Sequence, residues 1–336
     1  ADKTYDTTTN ASLSGTAALN GVVSISGTLD TVSLAGNAAA VFANANAGIS
    51  KAVTVSGYAL TGADAGNYTL VQPTGLTATI NKATLTVSGL SAANKTYDQT
   101  TTASITGTAA VTALGNDQVS LNGSATGAFS NANAGTGKSV TLSGLTLAGT
   151  DAGNYQLQLS SALTADIMAK QLTITGVTVA NKSYDGTTTA TISALGSLTS
   201  GGVLTGDTIG LVTSGATAAF TDKNAATAKT VSVSGYTLSG NSLGNYVLVQ
   251  PSALSANISA ANLTITTSNV TKTYDATDSA SGTAIVKSGS NTQLFTGDTL
   301  SGGIFSFTNV NAGTGNKTVA VTGVTVNDGN GGNNYV

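Results

Sequence analysis

Apolar residues alternate with Thr and Ser along most of the chain. The stretches 84–87, 172–174 and 263–265 place Leu, Ile or Val at i and i+2 with Thr between, the period-two signature of a half-buried strand. The Thr side is solvated yet β-branched, so it supports an extended backbone without charge. Segment 38–47 is Ala-rich, and there alone a short helix competes. Its counterpart at 303–308 alternates like a strand, so we expect a strand ending in an Asn/Gly turn in every copy.

That copying dominates the sequence. Lys-Thr/Ser-Tyr-Asp recurs at 3–6, 95–98, 182–185 and 272–275, with the tyrosines 92, 87 and 90 residues apart. Between copies the landmarks keep their order. Asp30, Asp117, Asp207 and Asp298 open alternating stretches, and Phe42, Phe129, Phe220 and Phe307 precede an Asn-rich turn. Lys51, Lys138, Lys229 and Lys317 follow, and then the Asn-Tyr pairs ending at Tyr68, Tyr155, Tyr246 and Tyr335. Eight of the ten tyrosines and four of the six phenylalanines sit at these positions, which points to packing.

A period near 90 suits a self-contained bead better than a solenoid coil. We expect an all-β chain, a tandem array of four Ig-like antiparallel β-sandwich modules at 1–81, 82–168, 169–259 and 260–336. β-Grasp-like modules with a single helix are the alternative. In the second module the pattern gives strands at 85–87, 101–105, 119–121, 125–129, 140–142, 155–159 and 163–167, with the turn spacing of a sandwich. The first module lacks a strand before its Lys-Thr-Tyr-Asp motif and the last lacks one after its Asn-Asn-Tyr, so both are expected to expose unpaired edges.

Composition narrows the chemistry. Cys, His, Trp, Arg and Glu never occur, and charged residues are 8% of 336. That excludes Ser-His-Asp triads, thiolate nucleophiles, thiolate or imidazole metal sites and disulfides; we expect no enzyme, no catalytic or metal-binding residues and no cofactor. A net charge of −3 without lysine runs argues against nucleic acid and anionic membrane surfaces. No stretch is long and apolar enough to span a bilayer, so no membrane insertion by this segment is expected. The only Met is internal, Met168, which suggests a processed product or a fragment.

The motifs resemble the YDG-type repeat domains of large secreted bacterial adhesins, especially filamentous-haemagglutinin-like exoproteins. The resemblance rests on Lys-Ser-Tyr-Asp-Gly-Thr-Thr-Thr-Ala at 182–190, on Phe-x-Asn-x-Asn-Ala-Gly, and on Leu-x-Gly-x-Asp-Ala-Gly-Asn-Tyr at 60–68 and 147–155, and it covers the whole chain. Thr7, Gln99 and Ala276 stand where the family has the Gly that Gly186 supplies, which bears on the turn type. The resemblance implies a surface-displayed array in a Gram-negative bacterium, acting as an extracellular stalk or adhesive filament in cell adhesion or biofilm.

Four candidate chemistries compete with plain packing. The Tyr-Asp pairs at 5–6, 97–98, 184–185 and 274–275 could stack on and hydrogen-bond a sugar; an anchored Tyr followed by an Asx turn is the structural alternative. Asp64, Asp151 and the oxygen-rich 327–334 segment could suggest calcium, but each loop offers one Asp and the third copy has Asn241. Lysines such as Lys95 and Lys138 near many Asn raise the question of isopeptide staples. Asn-x-Ser/Thr sequons stand at Asn10, Asn67, Asn94, Asn122, Asn181, Asn257, Asn262, Asn269 and Asn316.

The leading expectation is a structural repeat region of a secreted, cell-surface bacterial protein, with further copies of the same module or chain as partners through strand edges. Laid end to end, such modules would extend on the order of 150 Å. The alternative is carbohydrate-binding adhesin modules recognising host, matrix or biofilm glycans. A solvent-facing row of aromatics such as Tyr58 and Tyr236 would favour sugars, and buried tyrosines would favour the scaffold.

Overall fold

A computed structural model describes residues 1–25, 27–159, 163–288 and 292–336. The chain forms two compact units, residues 1–168 and 169–336. It is all-β. The described residues outside strands and loops are three single 3-10 turns, Ala65–Asn67, Ala152–Asn154 and Leu243–Asn245, each leading into the Tyr of an Asn-Tyr pair. No α-helix occurs among the described residues, which removes the β-grasp alternative.

One five-stranded sheet recurs in the first three modules. In the second it runs Lys95–Thr96, Thr164–Met168, Gly135–Ala148, Ser120–Phe129, Thr102–Ala103. The first has Lys3–Thr4, Leu76–Asn81, Gly48–Ser56, Ala39–Phe42 and Asn10–Ala11 in the same order, and the third repeats it from Lys182–Ser183 to Thr189–Ala190. Alternation does what the pattern required: Ala40 and Phe42, Val53 and Val55, Val140 and Leu142, Val231 and Val233 are buried while their neighbours face water. Ala39–Phe42 is a strand leading into an Asn turn, so the helical competitor there is not used.

The sheets are not purely antiparallel. Lys3–Thr4 pairs parallel with Leu76–Asn81, Lys95–Thr96 with Thr164–Met168, and Lys182–Ser183 with Leu254–Ser259. The beginning and end of each of these three modules lie side by side in one direction, which the intervening chain permits because parallel strands need a long crossover. Ser120–Phe129 is one strand with a register shift between Gly123 and Thr126, where the pattern suggested two. The 101–105 stretch divides into Thr102–Ala103 and Ile105–Ala110, and the latter pairs with Ser88–Ala92. That last strand, Ser-Gly-Leu-Ser-Ala, is too polar and Gly-interrupted to be read by alternation.

The first and last modules depart from this scheme. Residues 69–72 after Tyr68 form no strand, and Val71 is 80% exposed. In the last module Thr299–Phe307 and Val319–Asn327 pair as two strands, and residues 272–273 form no strand.

The Lys-x-Tyr-Asp motif builds the same clamp four times. Lys3 Nζ donates to Asp6 Oδ1 at 2.7 Å and to the Thr8 carbonyl at 2.7 Å, and lies 5.6 Å from the Phe42 ring centroid. Lys95, Lys182 and Lys272 repeat this with Asp98, Asp185 and Asp275, over Phe129, Phe220 and Phe307. The same Asp oxygen accepts the backbone N–H two residues on, an Asx turn (Thr8, Thr100, Thr187, Thr277). The lysine hydrogen bond is the main reason the Asp6 and Asp275 carboxyls are held low, Asp275 at about 2.

The turn residue after the Asp is left-handed in every copy: φ is 69° at Thr7, 67° at Gln99, 77° at Gly186 and 61° at Ala276. Three copies therefore carry a side chain where only Gly is relaxed. Gln99→Gly is expected to raise stability by up to about 1 kcal/mol, and Gly186→Ala to lower it by at least about 1 kcal/mol. The new Cβ would also meet the Phe295 side chain at 3.2 Å. Thermal unfolding followed by circular dichroism reads both signs.

Candidate functional site

The repeat landmarks converge where one module meets the next within each unit. In the first unit, the closing strand Leu76–Asn81 is separated from the next module's first strand, Ala83–Thr86, by Lys82 alone. Ala83–Thr86 then pairs parallel with Tyr155–Gln158. The connection is therefore itself sheet, with no flexible spacer.

Side chains lock the same junction. Tyr5, from the first module's Tyr-Asp pair, donates its hydroxyl to Asp117 Oδ2 at 2.8 Å, and Tyr155 of the second module donates to that same oxygen at 2.7 Å. The two rings meet edge to face, with centroids 5.4 Å apart at 79°, a favoured aromatic geometry. Leu114 N–H donates back to the Tyr155 oxygen at 3.0 Å. Asn154 Oδ1 accepts the Ala47 N–H at 2.9 Å, from the Asn-rich turn of the first module. Tyr5, Phe42, Ile80, Leu85 and Tyr155 belong to one continuous apolar cluster across the junction.

The second unit repeats the joint. Tyr184 and Tyr335 donate to Asp298 Oδ2 at 2.9 and 2.6 Å, and their rings are 5.4 Å apart at 75°. Ala225 N–H donates to Asn334 Oδ1 at 2.7 Å. Here Lys223 adds an ion pair to Asp298 at 3.2 Å and lies over the Tyr184 ring. Ala261 bridges Tyr335 in parallel, as Ala83 pairs Tyr155. Across the joint size is traded: Gly186 faces Phe295, whereas Thr7 faces Gly115.

The sequence candidates fall into place against this geometry. Tyr5, Tyr97 and Tyr184 are 6%, 6% and 1% exposed, so those rings are not free to stack on a sugar, whereas Tyr274 is 62% exposed. Their partner aspartates are occupied by the lysine clamp. Tyr236 is 2% exposed and Tyr58 half-buried, so the two do not form a solvent-facing aromatic row. Asp64 and Asp151 accept the Thr31 and Gln118 N–H at 2.8 Å, and Asn241 accepts the equivalent Thr208 N–H at 3.2 Å. This position needs an acceptor for one backbone donor, which either side chain supplies. Asp328 accepts the N–H groups of Asn330, Gly332 and Asn334. Among the described residues no group of three or more potential ligand side chains gathers. Lys95 is held in the clamp, and Lys138 donates to Asn131 Oδ1 at 2.7 Å.

Sequence reasoning missed the shared carboxylate. Asp117 and Asp298 read only as strand openers, and Asn154 and Asn334 as turn residues. Their signal was the joint recurrence of one Asp, two Tyr and one Asn per period.

A YDG domain model matches residues 1–75, 81–164, 168–253 and 259–336. The chain thus belongs to the YDG domain family, as four consecutive copies. Comparison with curated proteins and with solved structures yields no match.

Removing the shared acceptor leaves two phenol O–H donors without an acceptor. Asp117→Ala is expected to cost about 1–3 kcal/mol per buried hydroxyl, whereas Tyr155→Phe, which leaves the Tyr5–Asp117 bond in place, costs less. Chemical denaturation monitored by tyrosine fluorescence ranks the two.

Alkali tests the joint differently. Burial first, and then the shared carboxylate, raises the Tyr5, Tyr155 and Tyr335 hydroxyls above the ordinary tyrosine range. A group raised on folding contributes stability that is full below its unfolded value and is lost as pH rises through the folded one, so the joints weaken above about pH 10. Absorbance titration should show these tyrosines ionising later than the rest, or only together with unfolding.

Proposed function

We propose that this chain is a structural repeat region of a secreted bacterial surface protein, a stalk or fibre segment that projects adhesive parts from the cell. The single observation that carries the reading is the joint. The family's signature residues are used on one module holding the next, through the Tyr5–Asp117–Tyr155 and Tyr184–Asp298–Tyr335 bridges. A motif that served a ligand would face solvent, and these tyrosines are buried. The lack of His, Cys, Glu and Arg supports a role without catalysis. The resemblance to repeats of filamentous-haemagglutinin-like exoproteins supports secretion, and β-sheet continued through the connection suits a load-bearing element.

Glycan recognition is the second reading, favoured by one observation, the exposed Tyr274 beside Asp275. Glycan-array binding lost on Tyr274→Ala would move the function there.

Antibodies against the full chain should label intact, unpermeabilised cells of the source organism. Immunogold electron microscopy should place that label beyond the outer membrane. Label found only inside permeabilised cells would overturn the reading.

A further inference from the structure

Tension on a tandem array travels along the chain, so the strands at which each module receives it and hands it on decide how the load is borne. The second and third modules have a neighbour on both sides. In the second, load arrives at Ala83, on the strand Ala83–Thr86, and leaves at Met168, on the strand Thr164–Met168. Both strands lie in parallel ladders. Ala83–Thr86 pairs with Tyr155–Gln158, and Lys95–Thr96 pairs with Ile167 and Met168. The Val87 N–H donates to the Gln158 carbonyl at 3.0 Å and the Tyr97 N–H to the Met168 carbonyl at 2.8 Å, closing the two ladders. The third module repeats both. Residues 170–173 pair with Tyr246–Val249, Lys182–Ser183 pairs with Ile258 and Ser259, and the Tyr184 N–H donates to the Ser259 carbonyl at 2.8 Å.

Parallel pairing fixes how these bonds feel a pull. In each ladder one strand is drawn toward its N-terminal end and its neighbour toward its C-terminal end. The two must slide past one another, so the slanted cross-strand bonds are strained together. A hairpin pulled at its open end is strained one pair at a time. Alternation opposes sliding as well. Leu85, Ile167, Leu172 and Ile258 are 5%, 1%, 1% and 2% exposed, and the residue after each is exposed, so a slip of one residue takes each of them off the core face. Tyr155 adds a side-chain anchor at the head of its strand, through its 2.7 Å bond to Asp117.

We infer that the second and third modules are tensile clamps: they resist load applied between their entry and exit strands through the two parallel ladders, and yield more easily when pulled in other directions. The inference rests on the fibre-segment reading, which supplies the tension, and adds to it the bonds that carry the load. Its failure would leave that reading standing, since the fibre segment is tested by labelling cells. The clamp is a property of direction and is separate from stability, because forced unfolding follows the rate of leaving the native state. One module, with one equilibrium stability, therefore has a strong direction and a weak one.

Single-molecule force spectroscopy of the full chain tests it. The sequence has no Cys, so paired cysteine substitutions give unique handles. Lys82→Cys with Met168→Cys, both at exposed positions, pulls the second module through both ladders. Ser120→Cys with Thr150→Cys, also exposed, pulls the same module at the open end of its hairpin, where Ser120 pairs with Ala148. If that second pair shifts the melting curve, Asn122→Cys with Thr146→Cys takes its place, since these two are exposed and paired in the same hairpin. At matched loading rate the force through the ladders should be at least about twofold that at the hairpin, because the ladder bonds fail together. That rupture should free the whole module in one event, a length on the order of 300 Å. Equal or lower force through the ladders would overturn the inference. So would a weaker first event that frees only the chain up to Tyr97, on the order of 50 Å.

Discussion

Two tyrosine hydroxyls sharing one aspartate oxygen hold the two modules of each unit together. At the first joint the oxygen is Asp117 Oδ2, reached from Tyr5 and Tyr155; at the other it is Asp298 Oδ2, reached from Tyr184 and Tyr335. The arrangement satisfies three polar groups in an apolar cluster at once, which matters because a buried donor without an acceptor costs more than a made hydrogen bond returns. It also couples a packing contact to a directional one. The rings meet edge to face while both hydroxyls reach the same oxygen, and the directional bonds add orientation to proximity.

The rest of the module serves that geometry. The lysine clamp rigidifies the turn from which Tyr5 or Tyr184 projects, with Lys3 and Lys182 each spanning an Asp, a carbonyl and a Phe ring. The 3-10 turn Ala152–Asn154 presents Asn154 and Tyr155 in succession, and the Asp151 carboxylate ties that turn to the Gln118 backbone, next to Asp117. Parallel pairing at the module edge places the start of each of the first three modules beside its own end. The Tyr that projects forward is thereby anchored to the strand that leads on, as the Tyr5 N–H to Asn81 carbonyl bond of 2.8 Å shows.

Much of this was legible in the residues, and the remainder failed for identifiable reasons. Alternation located the strands that bury Phe42, Val140 and Ile167, because those faces are strictly apolar on one side. It did not find Ser88–Ala92, whose Gly and Ser leave no period to read. It could not give strand direction, since parallel and antiparallel neighbours bury the same alternate residues. Six of the eight landmark tyrosines are buried, as a packing role requires, while Tyr68 is half-buried and Tyr274 is 62% exposed. Their partners were hidden because Asp117 lies 112 residues from Tyr5, more than one period away, and a repeat seen copy by copy suggests contacts within a copy. The Gly substitutions at Thr7, Gln99 and Ala276 looked like a change of turn type; the turn is the same and the residues carry the strain.

The near absence of charge then has a structural sense. Exposed ion pairs contribute little and are screened by salt, and the clamps Lys3–Asp6 and Lys95–Asp98 sit partly exposed at the surface. The joints rely on shared hydrogen bonds, aromatic edges and continuous sheet, which salt barely touches. Asp298 also takes an ion pair, from Lys223, with its own side chain 1% exposed, where screening is weakest. An array whose modules met through surface charges would loosen as ionic strength rose. One joined through carboxylate–phenol bridges, part-buried at Asp117 and buried at Asp298, is less exposed to screening and yields first to alkali, at the phenols themselves.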